Sequence, residues 1–314
     1  MMNPKVSIII LNWNGLKYTI ECLESLRKIT YPNYEVIIVD NGSKGNDADV
    51  LEEKYKDYIK LIRNEKNLGF AGGNNVAIRK VLEEEKSKYI LLLNNDTEII
   101  QKNWLDKFVK MSESEKNIGI VGCTLLFSSG KFQAGGTILK DPFHYINISD
   151  KVKNVIEVDL VIGACFLIKK KVVDKIGLLD ENFYPVLGEE FDYCMRAKKA
   201  GFKVIYIPKV KIIHHGKAAT SQLQGLNYVE EKNRLRFIFL NYPLHWIILR
   251  FFYDFGVCFI GGKDRNKKIS LGNLKIRKNW KNLVGIFLRA YWDNLKRLKE
   301  ISSKRKNRTQ KIWL

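Results

Sequence analysis

The sequence predicts an α/β fold with a mostly parallel, doubly wound sheet flanked by helices, followed by a helical, basic C-terminal appendage. Three observations carry this expectation. Short, continuous apolar runs alternate with segments of helical period through the first hundred or so residues. Two of those runs end abruptly in polar, acidic tips, at Asp40-Asn41-Gly42-Ser43 and at Asn94-Asn95-Asp96. From about Asn227 onward the composition turns aromatic and basic.

Residues 6–11 are a continuous apolar run of strand length, as a strand buried on both faces requires. Residues 16–28 then place Leu16, Ile20, Leu23 and Leu26 on one helical face. Residues 35–39 and 59–63 read as the second and third strands, 74–85 as a helix, and 89–93 as a fourth strand. Such alternation implies ligands at the carboxyl ends of the strands. Further along, 158–169 reads as one buried strand and 170–176 as a short helix. Residues 189–200 read as a helix closed by Gly201, and 203–207 as a strand closed by Pro208. A boundary near 223–228 divides a domain over 1–225 from a segment over 226–314.

At 314 residues and 46% hydrophobic, the chain can bury one large core, or a core plus a smaller appendage. Its 54 Lys+Arg against 34 Asp+Glu give +20, and residues 263–314 alone hold 17 basic and 3 acidic residues, or +14. A basic tail suits a polyanionic surface, either anionic lipid or nucleic acid. The five cysteines (Cys22, Cys123, Cys165, Cys194, Cys258) are scattered and form no C-x-x-C, which argues against a disulfide framework or zinc site and for a reducing compartment. Residues 1–5 lead straight into a strand, so no signal peptide is expected. The apolar stretch 243–262 is interrupted by His245, Arg250 and Asp254, which favours an interfacial helix over a membrane span.

Asn12 closes the first strand and Asp40 the second. An acidic residue at such a tip accepts hydrogen bonds from a base or ribose; equally, Asp before Asn41-Gly42 forms turns. Residues 12–17 lack G-x-G-x-x-G, which argues against a nicotinamide or flavin site. The stretch 64–74 carries Gly69, Gly72 and Gly73 ahead of Asn74; it either brings backbone N–H groups to a phosphate or is an ordinary lead-in to a helix. Asp96 sits where Mg²⁺ or Mn²⁺ would need only one or two carboxylates plus substrate phosphates, with Asn94, Asn95 and Glu98 as helpers; an exposed turn is the alternative. Glu189, Glu190 and Asp192 open a helix, where the dipole favours negative charge and mutual repulsion lifts one pKa toward that of a general base. Arg196 lies one turn after Asp192 and can pair with it. His214-His215 is either structural or supplies a ligand to a metal at Asp96.

In order, these segments resemble the family 2 glycosyltransferases, in particular the branch similar to rhamnosyltransferases, over about residues 6–216. The strand 6–15 resembles the family's opening strand, and Val39-Asp40-Asn41-Gly42-Ser43 its nucleotide-reading turn. Residues 67–74 match a loop of this branch, Asn94-Asn95-Asp96 stands at its Asp-x-Asp metal motif, and 188–196 at its E-D-x-D-L-x-x-R segment. The chain departs from the pattern where Asn94 replaces the first metal-motif Asp and Glu190 replaces the base-position Asp.

The resemblance implies a GT-A fold and inverting transfer from a nucleotide-diphosphate sugar, with deoxythymidine-diphosphate rhamnose the leading donor. Asp96 and His214 would hold Mg²⁺ or Mn²⁺; Glu190, or else Asp192, would be the base. Asn12, Asp40, Gly69, Gly72, Asn74 and Asn95 would serve the donor nucleotide. The acceptor implied is a glycan or lipid-linked glycan in cell-surface polysaccharide synthesis. The expected location is cytoplasmic, peripheral at the inner face of the cell membrane, with an anionic membrane surface and not nucleic acid as partner. The tail is then an interfacial anchor with Arg234, Arg236 and Arg250 among its aromatic residues, or a packed helical appendage. Two other classes compete: a sugar-nucleotide pyrophosphorylase-like enzyme, and a non-catalytic binding module on a transferase fold.

Overall fold

The structure is a computed structural model that describes residues 3–141, 144–216, 225–260 and 280–308. Two compact units divide it, residues 1–139 with 146–223, and residues 140–145 with 224–314.

The first unit is built on β1 (Val6–Asn12), α1 (Leu16–Leu26), β2 (Tyr34–Asn41), α2 (Asp47–Tyr55), β3 (Ile59–Asn64), α3 (Gly69–Glu84) and β4 (Tyr89–Asn94). It continues through β5 (Thr97–Ile99), α4 (Trp104–Ser114), β6 (Ile118–Leu126) and β7 (Phe132–Ala134). The short β8 (Thr137–Leu139) and β9 (Tyr145–Asn147) stand apart from the main sheet. Next come β10 (Ile156–Val158), β11 (Cys165–Lys169), α5 (Lys170–Ile176), α6 (Glu189–Lys199) and β12 (Lys203–His214).

The main sheet runs β10-β12-β6-β11-β4-β1-β2-β3, with β5 on β12 and β7 on β6. Its β3-β2-β1-β4 half is parallel, as the apolar runs predict, and its interior strands are buried on both faces. Register aligns the tips: Asn12 pairs level with Asp40, Leu11 with Asn94, and Asp40 with Arg63. The polar ends of these strands therefore open at one edge. β11 runs antiparallel between β4 and β6, so the sheet is mixed.

Four features differ from the sequence-based expectation. The run 158–169 is two strands, because the chain turns through Gly163 between β10 and β11. β12 does not stop at Pro208; its ladder with β6 skips from Ile207 to Lys211, so the missing N–H falls at a bulge, after which pairing with β6 resumes and β5 joins on the other side. α3 begins at Gly69 and takes the glycine stretch into its first turn. α4 and β6 carry no expectation above, although Trp104, Leu105, Phe108 and Val109 form one buried helical face and β6 is a fully buried central strand.

The second unit contains α7 (Leu226–Asn241), α8 (Leu244–Ile260), α9 (Trp280–Leu295) and α10 (Leu298–Asn307). Arg234, Arg236 and Arg250 face inward there. Arg250 Nε donates to Asp254 Oδ1 at 2.8 Å, Arg236 pairs with Glu300 at 2.7 Å, and Arg234 pairs with Glu231 and reaches Asp254 at 3.3 Å. The expectation that these arginines face a membrane is thereby corrected: each meets a carboxylate inside the unit. Of the basic tail, residues 261–279 and 309–314 lie outside the described residues.

Candidate active site

The strand tips line a cleft of about 230 Å³. Leu11 and Trp13 enter from β1, Asn41 from β2, Asn67, Gly69 and Phe70 from the start of α3, and Asn94, Asn95 and Asp96 from β4. The opposite wall is Ile162–Ala164, Pro185–Leu187, Glu189 and Glu190, with His214 and Gly216 at one end.

Asn12 and Asp40 lie outside this lining and form a buried knot beneath it. Asn12 Nδ2 donates to Asp40 Oδ1 at 2.8 Å and to Asp47 Oδ2 at 3.0 Å, while its Oδ1 accepts from Thr19 at 2.6 Å. Asp40 also accepts from the backbone N–H and the hydroxyl of Ser43. These are turn-forming contacts, and through them the two residues fix how β1 and β2 end. Strand alternation turns Asn41, not Asp40, toward the cleft, a consequence of the period of two that the sequence reading did not apply. Asn41 binds the backbone of the next loop, donating to Gly69 O at 3.2 Å and accepting from Leu68 N at 3.1 Å.

The glycines of α3 are explained by the chain itself. At Gly69, φ is +73° and a Cβ would lie 2.6 Å from Pro185 O. At Gly72 a Cβ would meet Leu68 Cβ at 2.9 Å, and at Gly73 it would meet Leu11 Cδ1 at 2.5 Å. Gly69 lines the cleft; Gly72 and Asn74 do not, and the Asn74 amide is returned to Phe70 O at 2.9 Å. The close approach is of protein to protein, and the ordinary lead-in describes Gly72 and Asn74.

Asp96 and His214 converge. His214 Nε2 is 3.4 Å from Asp96 Oδ1 and 3.4 Å from Asn94 Nδ2, and Nδ1 is 3.0 Å from Gln133 Oε1. A carboxamide oxygen accepts only, so Gln133 favours the tautomer with its proton on Nδ1, the form in which Nε2 is free to ligate a cation shared with Asp96. That donor set, one carboxylate oxygen and one imidazole nitrogen, suits a divalent cation completed by phosphate oxygens and water. Among the described residues no three His, Cys, Asp or Glu side chains come together as a closed metal site. Gln133 comes from distant β7, with no local signal in its sequence. Asn95 is held by its amide on Thr19 Oγ1 at 2.9 Å, and Glu98 is exposed on β5.

The acidic run opening α6 divides by direction. Asp192 is fully buried, pairs with Arg196 Nε at 2.9 Å and lies outside the cleft lining, so it anchors the helix. Arg196 in turn caps Ile176 O and Leu178 O at 2.7 and 2.8 Å. Glu189 and Glu190 line the cleft. Burial raises the Glu190 pKa above the ordinary carboxylate value, against backbone N–H donors that lower it. Glu189 is pushed well above it, by burial first and then by Glu190; its Oε2 is buried with no hydrogen-bond partner. The sequence reading passed over Glu189 in favour of its neighbour.

Residues 7–177, more than half of the chain, match the sequence model described as "Glycosyl transferase family 2". The chain belongs to this family. It is a family 2 glycosyltransferase by sequence and has a GT-A fold, and the pyrophosphorylase-like alternative is set aside. An uncharacterized protein y4gI of Sinorhizobium fredii is 28% identical over 69% of this chain but only 25% of its own length. The O-antigen biosynthesis protein RfbC of Myxococcus xanthus is 27% identical over 69% of this chain and 18% of its own. This chain thus spans about a quarter or less of those two relatives. The low-salt glycan biosynthesis hexosyltransferase Agl10 of Haloferax volcanii is 26% identical over 76% of each chain. Among solved structures, GalNAc-T7 with UDP, GalNAc and Mn²⁺ superposes with TM-score 0.62 at 16% identity, over 77% of this chain and 49% of that one. The Pyrobaculum calidifontis mannosyltransferase PcManGT with GDP-Man and Mn²⁺ gives TM-score 0.54 at 14% identity, over 97% of this chain and 74% of that one. Among the described residues, no helix of this family member is long and apolar enough to cross a membrane.

Proposed function

We propose that this glycosyltransferase moves a sugar, with inversion, from a nucleotide-diphosphate donor to a hydroxyl of a glycan or lipid-linked glycan in cell-surface polysaccharide synthesis. One observation carries the reading: the Asp96–His214 pair and the Glu190 carboxyl face the same cleft at the carboxyl ends of the strands. Asn41, Asn95 and Gly69 line the nucleotide side, with Asp40 and Asn12 positioning the turn below. Asp96 and His214 would hold Mg²⁺ or Mn²⁺; when bound, that cation supplies charge neutralisation at the diphosphate leaving group. Glu190 takes the acceptor hydroxyl proton as the oxygen forms its bond to the anomeric carbon, and the bond to the diphosphate oxygen breaks on the opposite face. Its raised pKa brings its basicity nearer to neutral pH, where a general base is most effective.

Support for donor and cation comes from the nucleotides and Mn²⁺ in the two structural neighbours, and for the pathway class from the names of RfbC and Agl10. Rhamnose as the transferred sugar rests on the resemblance of the motifs. The basic stretch 263–314 supports a peripheral place on the inner, anionic face of the cell membrane. The test is nucleoside diphosphate release over a panel of donors with Mn²⁺ and acceptor. Glu190→Gln is expected to keep donor binding and lower transfer by about two to four orders of magnitude. Asp96→Ala is expected to abolish cation-dependent turnover with the fold retained. Full activity in either variant removes that residue from the mechanism.

A further inference from the structure

Within the helical unit, whose α7 buries Leu235, Phe237 and Phe239 in the ordinary way, the outer side of α8 and α9 is sorted differently. Transfer free energies in water favour burying Leu and Phe and leaving ion pairs outside. Here Glu231, Arg250 and Asp254 are 2, 3 and 0% exposed, whereas Leu244 and Phe252 are each 67% exposed and Trp292 is 59% exposed. On α8, Arg250 and Asp254 stand one turn apart on the inner side. Leu244, Ile248 and Phe252 recur every four residues on the opposite side. On α9, Leu288, Trp292 and Leu295 form a matching exposed stripe behind the buried Phe287, Ala290, Tyr291 and Asn294. The helices pack together where the rings of Phe251 and Tyr291 meet at 5.1 Å. Beneath this contact Asp254 accepts from Arg250, from Tyr291 at 3.0 Å and from Arg234. One buried carboxylate thus ties α7, α8 and α9 while one apolar stripe on each of α8 and α9 points out.

Charge selects what covers that face. Arg289, Lys296, Arg297 and Lys299 are exposed along α9 and the start of α10. An apolar stripe with a tryptophan and a basic border matches the boundary between acyl chains and anionic headgroups. A second copy of the chain would instead set this positive border against its own kind. No helix among the described residues is long enough to cross, so the contact lies along the surface.

We propose that the outer face of α8 and α9 docks into the interfacial layer of an anionic lipid bilayer. This rests on the membrane part of the function proposed above, and it places the contact on a defined apolar face instead of on charge alone.

The test is flotation of the full chain with phosphatidylglycerol-containing vesicles and with phosphatidylcholine vesicles, for wild type and the double variant Phe252→Ser, Trp292→Ser. Both side chains are exposed, so circular dichroism and transfer to a soluble acceptor should be unchanged. The wild type is expected to float with the anionic vesicles and to retain part of that binding at roughly 1 M salt, where charges are screened within about 3 Å. The double variant is expected to lose about tenfold or more of its affinity, the loss that removing two inserted side chains implies. Equal binding by both proteins overturns the proposal and leaves attachment to charge. A wild-type dimer made monomeric by the substitutions, with vesicle binding unchanged, overturns it in favour of self-association. Failure of the wild type to float overturns the membrane reading altogether, without touching the transfer reaction.

Discussion

At the scale of single residues, the two glutamates that open α6 divide their work by environment. Glu190 borders Gly163, where a Cβ would lie 3.4 Å from its carboxyl carbon, and keeps partial contact with the cleft. Glu189 is buried, and one of its oxygens has no partner. Its folded pKa is raised well above the unfolded value of 4.5, so the folded state holds a proton that the unfolded chain releases. The native state therefore binds more protons above that pH, and stability falls as pH rises toward the folded pKa. Glu189→Gln keeps the shape and removes the titration. The variant is expected to gain melting temperature over wild type at about pH 8 and to lose that advantage at about pH 4, below both pKa values. Thermal melts across that range check the sign. An offset that does not change with pH would mean that Glu189 is ionised in the fold.

At the scale of elements, what the sequence showed and what it hid have one physical cause. Strands β1, β2 and β4 carry near-continuous apolar runs because both faces are covered, while edge strand β3 mixes apolar and basic residues, and both patterns are local. The polar tip after β4 was legible for the same reason, which brought Asp96 forward; Glu190 stood out instead as part of the acidic first turn of α6. Gln133 orients His214 from β7 and has no local mark. Charge makes Asp40 conspicuous in sequence, whereas the strand direction that brings Asn41 to the cleft lining leaves no such mark. The glycines of α3 were ambiguous in sequence, since a residue without a side chain does not say what approaches it. The structure answers with the loop before α6: Phe70 N donates to Pro185 O at 2.8 Å, and Gly69 leaves room for that contact. Gly69→Ala would combine a left-handed backbone, costing about 1–2 kcal/mol, with a clash against a backbone oxygen. The expected result is a loss of about 2 kcal/mol or more in stability, and weaker donor binding as the Glu189–Glu190 wall shifts. Denaturant melts and donor titration read both; a melt like that of wild type would show that the wall does not lean on α3.

At the scale of the whole molecule, the C-terminal basic stretch is part of a folded unit over its described length. α9 and α10 bury Phe287, Ala290, Tyr291 and Ile301 within the helical unit. Tyr291 donates to Asp254, Glu300 accepts from Arg236, and Arg305 reaches Tyr242 O at 2.8 Å. Deleting residues 263–314 removes all of these partners at once. Asp254 and Arg236, 0 and 1% exposed, would lose neighbours that hold their charge in a dry interior. Removing one member of a buried pair costs about 3–5 kcal/mol, and here the buried apolar face of α7 would also be uncovered. The truncated chain is therefore expected to aggregate, or to lose the cooperative melting of α7 and α8, and not to behave as an enzyme that has merely lost an anchor. A gentler change separates charge from packing: Lys263, Arg265, Lys267 and Lys268 replaced by Gln in the full chain should leave soluble yield and melting as in wild type. Their effect should appear only in binding to anionic vesicles. A soluble deletion variant with unchanged helical content and melting would show that α7 and α8 stand without α9 and α10, and that the ion pairs linking these helices contribute nothing to the fold.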